Sequence, residues 1–490
     1  MINSKKIGFF LGPITFLLVL LFFNPSDLNQ SSNAVLASIL WIAIWWISEA
    51  APIAVTSLLP IVLFPLTGGM ELSNTTASFG HKLIFLIMGG FIISIAIEKW
   101  NLHKRIAINL IYVIGTDLKK IILGFMVATA FLSMWISNTA TSVMMVPIGI
   151  IIVKHLMENN KNTEINNLTF PKALMLSIAY SASIGGISTL IGTPTNMVMA
   201  GVISDTYNYE ISFFDWFIFG FPLSLFLLIV SWFFLTRIAF TFPKNSFTEG
   251  RNKISQMKKK LGSISYEQKI VSIVFGSAAI CWILRTFLLQ RIFPKIDDTI
   301  IAVFFAIILF ILNSKNKNEK ILKWEDVLKL PWGILLLMGS GMAIARAVET
   351  SGLAIWIGNQ MGNLGYFDFF IIIILLVSLV NFLTEVTSNM ATISLFLPIL
   401  AAVSFKLDLH PFILMVSATL AASCAFMLPV ATPPNAIVFS SGYLNISDMV
   451  KKGFLLNIIS ILIISLFVYF LLPFLWDLIP NKFPQGLLNK

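Results

Sequence analysis

Charge is scarce in this chain. Only 11% of its 490 residues are Asp, Glu, Lys or Arg, against 57% hydrophobic, and the mean hydropathy is +0.88. That balance excludes an ordinary water-soluble globular domain and indicates an all-α polytopic membrane protein. Cysteine is nearly absent: Cys281 and Cys424 lie far apart in separate apolar runs, which excludes a disulfide framework and any metal-ligand spacing. Histidine is as sparse, and His81, His103, His155 and His410 are scattered near loop ends with no catalytic or metal grouping. No nucleophile with its base and no cofactor motif is found, so neither an enzyme nor a bound cofactor is expected.

The net charge of +10 is the one feature that suggests nucleic acid. The basic residues, however, fall in short loops between apolar spans, as the positive-inside rule requires, so no nucleic-acid partner is expected. Lys99 to Lys120, Lys154 to Lys172 with Lys161, Lys244 to Lys269, and Lys315 to Lys329 with Lys317 read as cytoplasmic loops. Asn24 to Asn33, Thr67 to Gly80 and Ser204 to Asp215 hold no Lys or Arg and read as external. Only Arg285, Arg291 and Lys295 run against the pattern, beside Asp297 and Asp298. The basic start, Met1 to Lys6, feeds an apolar run to Phe23 with no small-residue cleavage site, which predicts an uncleaved first span and a cytoplasmic N-terminus.

What the chain does contain is a polar knot written twice. Trp135-Ile136-Ser137-Asn138-Thr139-Ala140-Thr141 and Thr387-Ser388-Asn389-Met390-Ala391-Thr392 each interrupt apolar runs. The runs Ile121 to Trp135, Ser142 to Val153, Phe369 to Leu383 and Ile393 to Val403 are each shorter than the ~20 helical residues that cross a bilayer. They predict hairpins of two half-helices whose tips stop near the midplane, where irregular backbone must line protein or a water-filled cavity. At such a tip one half-helix leaves carbonyls free and the other leaves N–H groups free, so a cation and a carboxylate can be held together. Ser, Asn and Thr cap helices and supply neutral oxygens for a hard cation such as sodium. Asn138 and Asn389 are the expected paired ligands. A kinked helix pair with internal polar bonds is the plain alternative.

Each knot is followed by a second polar break. Ile184-Gly185-Gly186 to Thr193-Pro194-Thr195-Asn196 follows the first, and Leu428-Pro429 to Thr432-Pro433-Pro434-Asn435 follows the second. Proline lacks the helical N–H and clashes with the preceding turn, so both segments should unwind and free their carbonyls. Interrupted segments at matching places in two halves point to a transporter site built from a repeat. A channel would also use polar hairpin tips, but two inverted copies around one site fit alternating access better.

At Ser137-Asn138-Thr139, Tyr180 to Gly186, Gly192 to Asn196 and Phe426 to Phe439 the chain resembles the divalent-anion:sodium symporters. That family includes INDY-type bacterial dicarboxylate transporters and animal sodium-coupled dicarboxylate and citrate carriers. Many bacterial members carry Thr where this chain has Met390, and animal members carry an apolar residue there. The resemblance implies sodium symport of a C4–C6 di- or tricarboxylate such as succinate, malate, fumarate or citrate, by an elevator-type movement. A sodium-independent exchanger and a sodium:sulfate symporter are the alternatives.

The resemblance also implies sodium site 1 at Ser133, Ser137, Asn138 and Gly192, and sodium site 2 at Thr384, Thr387, Asn389 and Ala431. Substrate contacts are expected from Ser137, Asn138, Thr139, Thr193, Pro194, Ser388, Asn389, Thr432 and Pro433. Loop charge and resemblance together give about eleven transmembrane helices plus two re-entrant hairpins, the first entering from the cytoplasm and the second from outside, with an external C-terminus. A scaffold domain (1–120 and 255–365) would form a homodimer, and 121–254 with 366–490 would form the transport domain.

Ionisable residues at membrane depth are costly, which singles out Glu49, Arg346, Glu349 and Glu385. Glu49 is expected to cap or anchor a turn. Arg346 and Glu349, three apart on a helix, read as a self-neutralising pair. Glu385, four residues before Asn389, faces either the cation site or the scaffold.

Overall fold

The computed structural model describes residues 2–115, 117–159, 169–242, 248–315, 319–360 and 368–487. Lys161, Lys244 and Lys317 and the expected boundary at 365 lie outside them. Among the described residues the elements are helices, apart from an isolated antiparallel bridge between Asn313 and Lys320. A helix satisfies its own backbone, and a chain this apolar has no water to do so instead.

Among the described residues, eight helices are long and apolar enough to cross a bilayer: Lys5–Phe22, Gln30–Ser48, Leu72–Lys99, Phe213–Ala239, Tyr266–Ile292, Trp332–Thr350, Asn389–Lys406 and Ile446–Trp476. Four apolar helices are shorter: Ile53–Thr67, Asp298–Ile311, Phe369–Thr384 and Pro411–Ser423.

One order of elements occurs twice. Leu118–Ser133, Asn138–Asn159, Thr169–Ile187, Pro194–Tyr207 and Phe213–Phe233 are matched by Phe369–Thr384, Asn389–Lys406, Pro411–Ser423, Pro433–Phe439 and Ile446–Leu466. The local devices are matched too. Asp117 and Asp368 cap the two entering helices through the N–H groups of Lys119 and Phe370. Pro147 and Pro398 lie inside the two leaving helices, and Ser212–Asp215 and Asn445–Asp448 form capping boxes on the last helices. The leaving helices are longer than the apolar runs predicted, 22 and 18 residues, because the helix continues past the apolar stretch into polar sequence.

The halves are packed crosswise. Each entering helix lies on the first broken helix of its own half, Leu118–Ser133 on Thr169–Ile187 and Phe369–Thr384 on Pro411–Ser423. Each leaving helix lies on the second broken helix of the other half, Asn138–Asn159 on Pro433–Phe439 and Asn389–Lys406 on Pro194–Tyr207. Residues 173–187 and 411–423 are buried without a break and form the centre of the core. Gly185 is needed at this centre, since a Cβ there would overlap the backbone of Ala130.

Around this centre, Trp332–Thr350 packs on Pro194–Tyr207 and Asn389–Lys406, and Lys82–Lys99 packs on Asp298–Ile311. Leu102–Ile114, within the stretch read as a cytoplasmic loop, is an amphipathic helix, burying Leu102, Ala107, Ile108 and Ile111 while Arg105 binds the carbonyls of Leu261, Gly262 and Ser263. Glu49 ends its helix in a left-handed turn with φ 48°, and its carboxylate lies 3.2 Å from the Lys5 ammonium. The contrary charge of Arg285 is matched by Asp298 at 3.1 Å, both buried. Arg346 and Glu349 make no direct ion pair among the described residues but lie within electrostatic reach of each other, and Arg346 also acts on Asp205.

Candidate functional site

The first tip is built by a helix that stops and another that starts at once. Leu118–Ser133 ends at Ser133, and Asn138 begins the leaving helix. Ser137 makes the restart possible, because its hydroxyl accepts the Ala140 N–H at 3.2 Å and its carbonyl accepts that of Thr141 at 3.0 Å. Ser133 Oγ then lies 2.5 Å from Asn138 Oδ1 and 2.7 Å from the Ala182 carbonyl. A hydroxyl has one proton, and the other two oxygens have none to give. Three oxygens share one hydrogen, which leaves lone pairs converging as a hard cation requires.

Two glycines close the first cluster. A Cβ on Gly186 would come within 2.7 Å of Asn138 Oδ1 and 3.1 Å of the Gly192 carbonyl. A Cβ on Gly192 would lie 2.5 Å from the Gly186 carbonyl. Only bare backbone lets the break approach the tip this closely. Thr189 fastens it from the other side by donating to the Met134 carbonyl at 2.6 Å.

The second tip repeats the first with looser geometry. Thr384 Oγ1 stands 2.6 Å from Asn389 Oδ1 and 3.3 Å from the Ala422 carbonyl, so the same three roles are filled. The Thr387 hydroxyl is engaged within its own hairpin by the Leu383 carbonyl and Thr392. Ser388 caps the leaving helix through its backbone alone. Ala431 is buried in the turn of the second break, its N–H on the Leu428 carbonyl at 3.2 Å.

The breaks themselves are held by a matched pair of asparagines. Asn196 Nδ2 donates to the carbonyls of Thr189 (2.9 Å) and Ile187 (3.4 Å), and Asn435 Nδ2 to those of Leu428 (3.0 Å) and Ala425 (3.2 Å). The side-chain oxygens of both are buried without a partner, two open acceptors at equivalent depths. Pro194 and Pro433 start the short helices that follow, with Thr193 and Thr432 as N-caps. Thr432 accepts the Asn435 N–H, whereas Thr193 contacts Thr195, whose hydroxyl reaches Ser423 of the other half at 2.8 Å.

Of the residues expected to touch substrate, Thr139 and Pro433 are exposed, and Ser137, Asn138, Pro194, Ser388 and Asn389 are half-buried. Thr193 and Thr432 are buried. Met390 is half-buried against apolar neighbours. A cavity of 440 Å³ opens beside the first tip, lined by Ile136, Ala140 and Thr141 on one wall and by Glu98, Lys99 and Lys329 on the other.

Glu385 is bound to the second break and to the helix that braces it. It is 3% exposed, and its Oε1 accepts the N–H groups of Phe426 (2.8 Å) and Met427 (2.9 Å) and the Asn457 amide (2.7 Å). Its Oε2 accepts the Leu428 N–H at 3.0 Å. It therefore holds the N–H groups freed where Pro411–Ser423 unwinds. Sequence reasoning also passed over Ala182 and Ala422, whose contribution is a carbonyl, and Asn196 and Asn435, whose matched positions after Thr-Pro were a usable signal.

Crossed hairpins and broken helices in an all-α, multi-pass chain define a class, the membrane transporters. Two solved structures share the build at an identity that speaks of fold alone. The YdaH transporter of Alcanivorax borkumensis aligns with TM-score 0.59 and 13% identity over 93% of this chain and 100% of that one. MtrF of Neisseria gonorrhoeae, described with a class of antimetabolite efflux pumps, aligns with TM-score 0.57 and 11% identity over 93% and 97%. Within the class, the chain belongs to the sodium:sulfate symporter family, whose transmembrane-region model matches residues 4–476. It is 46% identical over 476 residues to the sodium-dependent dicarboxylate transporter SdcS of Staphylococcus aureus strain USA300, covering 96% of this chain and 92% of that one. The SdcS of strain MRSA252 is 46% identical over 477 residues.

Proposed function

We propose that this protein imports C4–C6 carboxylates, such as succinate, malate, fumarate and citrate, by sodium symport. The observation that carries the reading is the pair of three-oxygen clusters, Ser133–Asn138–Ala182 and Thr384–Asn389–Ala422, each short of protons. The name borne by its 46% identical relatives, sodium-dependent dicarboxylate transporter, supports the same cargo.

Sodium at these clusters accounts for how an anion binds here at all. No Lys or Arg occurs in either knot or either break, and a helix N-terminus supplies only about half a charge. Bound sodium makes up the rest, so sodium raises anion affinity and the anion raises sodium affinity by the same factor. Thr139, Thr193, Thr432 and Pro433 form the floor of the anion site, with the amides of Ser137–Asn138 and Ser388–Asn389 above it. Gly192, Thr387 and Ala431 add backbone oxygens to the two sodium sites.

Movement follows an elevator scheme in which 121–254 and 366–490 slide against a scaffold of 1–120 and 255–365, held as a homodimer. The cavity beside the first tip opens toward Lys99 and Lys329, which belong to the loops that loop charge assigns to the cytoplasm. It favours an inward-facing arrangement with the N-terminus inside and the C-terminus outside. The chain carries out no covalent chemistry and needs no resident cofactor. A sulfate cargo is the second reading, favoured by the description of the family.

Uptake of labelled succinate, citrate and sulfate into proteoliposomes, with and without a sodium gradient, tests the proposal. Saturable succinate uptake that requires sodium is expected. Sulfate uptake in its place selects the second reading, and uptake indifferent to sodium leaves an exchanger.

A further inference from the structure

Glu385 breaks the symmetry of the paired site. At the matching place in the first half, after Ser133, stands Met134. Glu385 is a buried carboxylate with four donors around it: three consecutive backbone N–H groups and one amide. No basic side chain lies within ion-pair distance among the described residues. Tyr180 lies against this region, fully buried with its ring on Phe426 and its hydroxyl unpartnered, and the Cys424 thiol is buried in the same segment. Four donors and no acceptor are the set an ionised carboxylate takes.

Its position gives that charge a use. Glu385 follows Thr384 in the chain, and it binds residues 426–428, which lie between Ala422 and Ala431. A charge fixed in a dry interior acts strongly on a neighbouring ion, because little water screens it. We propose that Glu385 is a positioning residue that sets sodium affinity at the second tip, making it the tighter of the two sites and the first to fill. The inference rests on the reading of the tips as sodium sites. Dipoles hold the carboxylate in place, and the entering sodium supplies the counter-charge that no side chain provides. The first site, with closer oxygens but no charge, then fills second and at higher sodium.

Binding of radioactive sodium to the purified full-length protein without substrate, read by scintillation proximity, tests this directly. Glu385→Gln removes the charge while its amide oxygen still accepts the bonds from Phe426, Met427 and Asn457. It should weaken sodium binding roughly tenfold, the effect of a unit charge lost at short range. Asn138→Ala should keep one site of wild-type strength, whereas Asn389→Ala should keep only the weaker one. Glu385→Gln should have its full effect in the Asn138→Ala background and none in the Asn389→Ala background.

Asn457→Ala separates charge from clamp, since it removes a donor to Glu385 and a second acceptor for the Phe426 N–H but leaves the carboxylate. Sodium affinity within about threefold of wild type is expected for it. A loss in Asn457→Ala equal to that in Glu385→Gln, or an equal loss in both tip backgrounds, would assign Glu385 to scaffolding and overturn the proposal. Wild-type sodium affinity in Glu385→Gln would overturn it as well while leaving the tips as sodium sites. Absence of sodium binding by the wild-type protein would overturn the tip reading and this inference together.

Discussion

The two halves solve one problem with chemistry that differs by one charge. Where Thr169–Ile187 ends, the freed groups that find partners are carbonyls: Trp216 donates to Ile187 at 2.8 Å and Ser224 to Ile184 at 2.7 Å. Where Pro411–Ser423 ends, carbonyls are held as well, those of Ala421 and Cys424 by Asn381, but three N–H groups are freed beside them and an acceptor, Glu385, gathers these. The helices that brace the two breaks are otherwise matched. Gly220 and Gly453 both give way to the backbone of the break, and one turn later stand Ser224 and Asn457. Ser224 reaches a carbonyl, and Asn457 reaches the carboxylate. A neutral break and an anionic break thus occupy equivalent places, so equivalence of backbone does not carry equivalence of charge.

The largest expected effect tests what the halves share. Asn138→Ala and Asn389→Ala should each abolish sodium-driven uptake, by about a hundredfold or more, since each removes an oxygen that its cluster cannot replace. Size-exclusion profiles of wild-type form should accompany the loss. Uptake at more than a tenth of wild type in either variant would show that its tip is dispensable.

The next tests what separates the halves. Glu385→Ala strands the Met427 and Leu428 N–H groups in a dry interior, while Phe426 keeps Asn457 as acceptor, and at about 1–3 kcal/mol for each stranded donor the loss should be about 2–6 kcal/mol. Met134→Ala, at the matching place in the first half, removes apolar packing alone and should cost about 2–3 kcal/mol. Thermal melts in detergent, run side by side, check the order. A smaller sharpening comes from the bracing helices, where Ser224→Ala should cost about 1 kcal/mol for one hydrogen bond to a buried carbonyl. Asn457→Ala should cost more on the same melts, because its partner is charged. Smallest in energy is Met390→Thr, which should leave stability within about 1 kcal/mol yet change the ranking of succinate, citrate and sulfate in competition assays. An unchanged ranking would show that position 390 does not face the cargo.

The hairpins and breaks were legible in sequence because polar residues and prolines stand out in apolar runs. Ser133, Asn138, Thr384 and Asn389 could be named as candidates, and the structure brings each pair within hydrogen-bonding distance. Ala182 and Ala422 could not, because a carbonyl oxygen leaves no mark on residue type. Glu385 was visible as a costly charge, but its partners lie 41 to 72 residues downstream, and proximity in sequence pointed to Asn389 instead. Helix length was misjudged for a similar reason. An apolar run marks where lipid could lie, whereas the helix that contains it ends where its backbone finds other partners.

The crosswise packing has a consequence for biosynthesis. The helix that leaves the first tip, Asn138–Asn159, packs on Pro433–Phe439, a segment made about 300 residues later. At ~5–20 residues per second, the ribosome supplies it only after tens of seconds. Throughout that interval Ser137, Asn138 and Thr139 sit in the nascent chain without the surface that completes their site. A membrane insertase or chaperone has that long to shield them, and a quality-control protease has equally long to find them. Substitutions in the late segment should accordingly register first in how much protein survives synthesis.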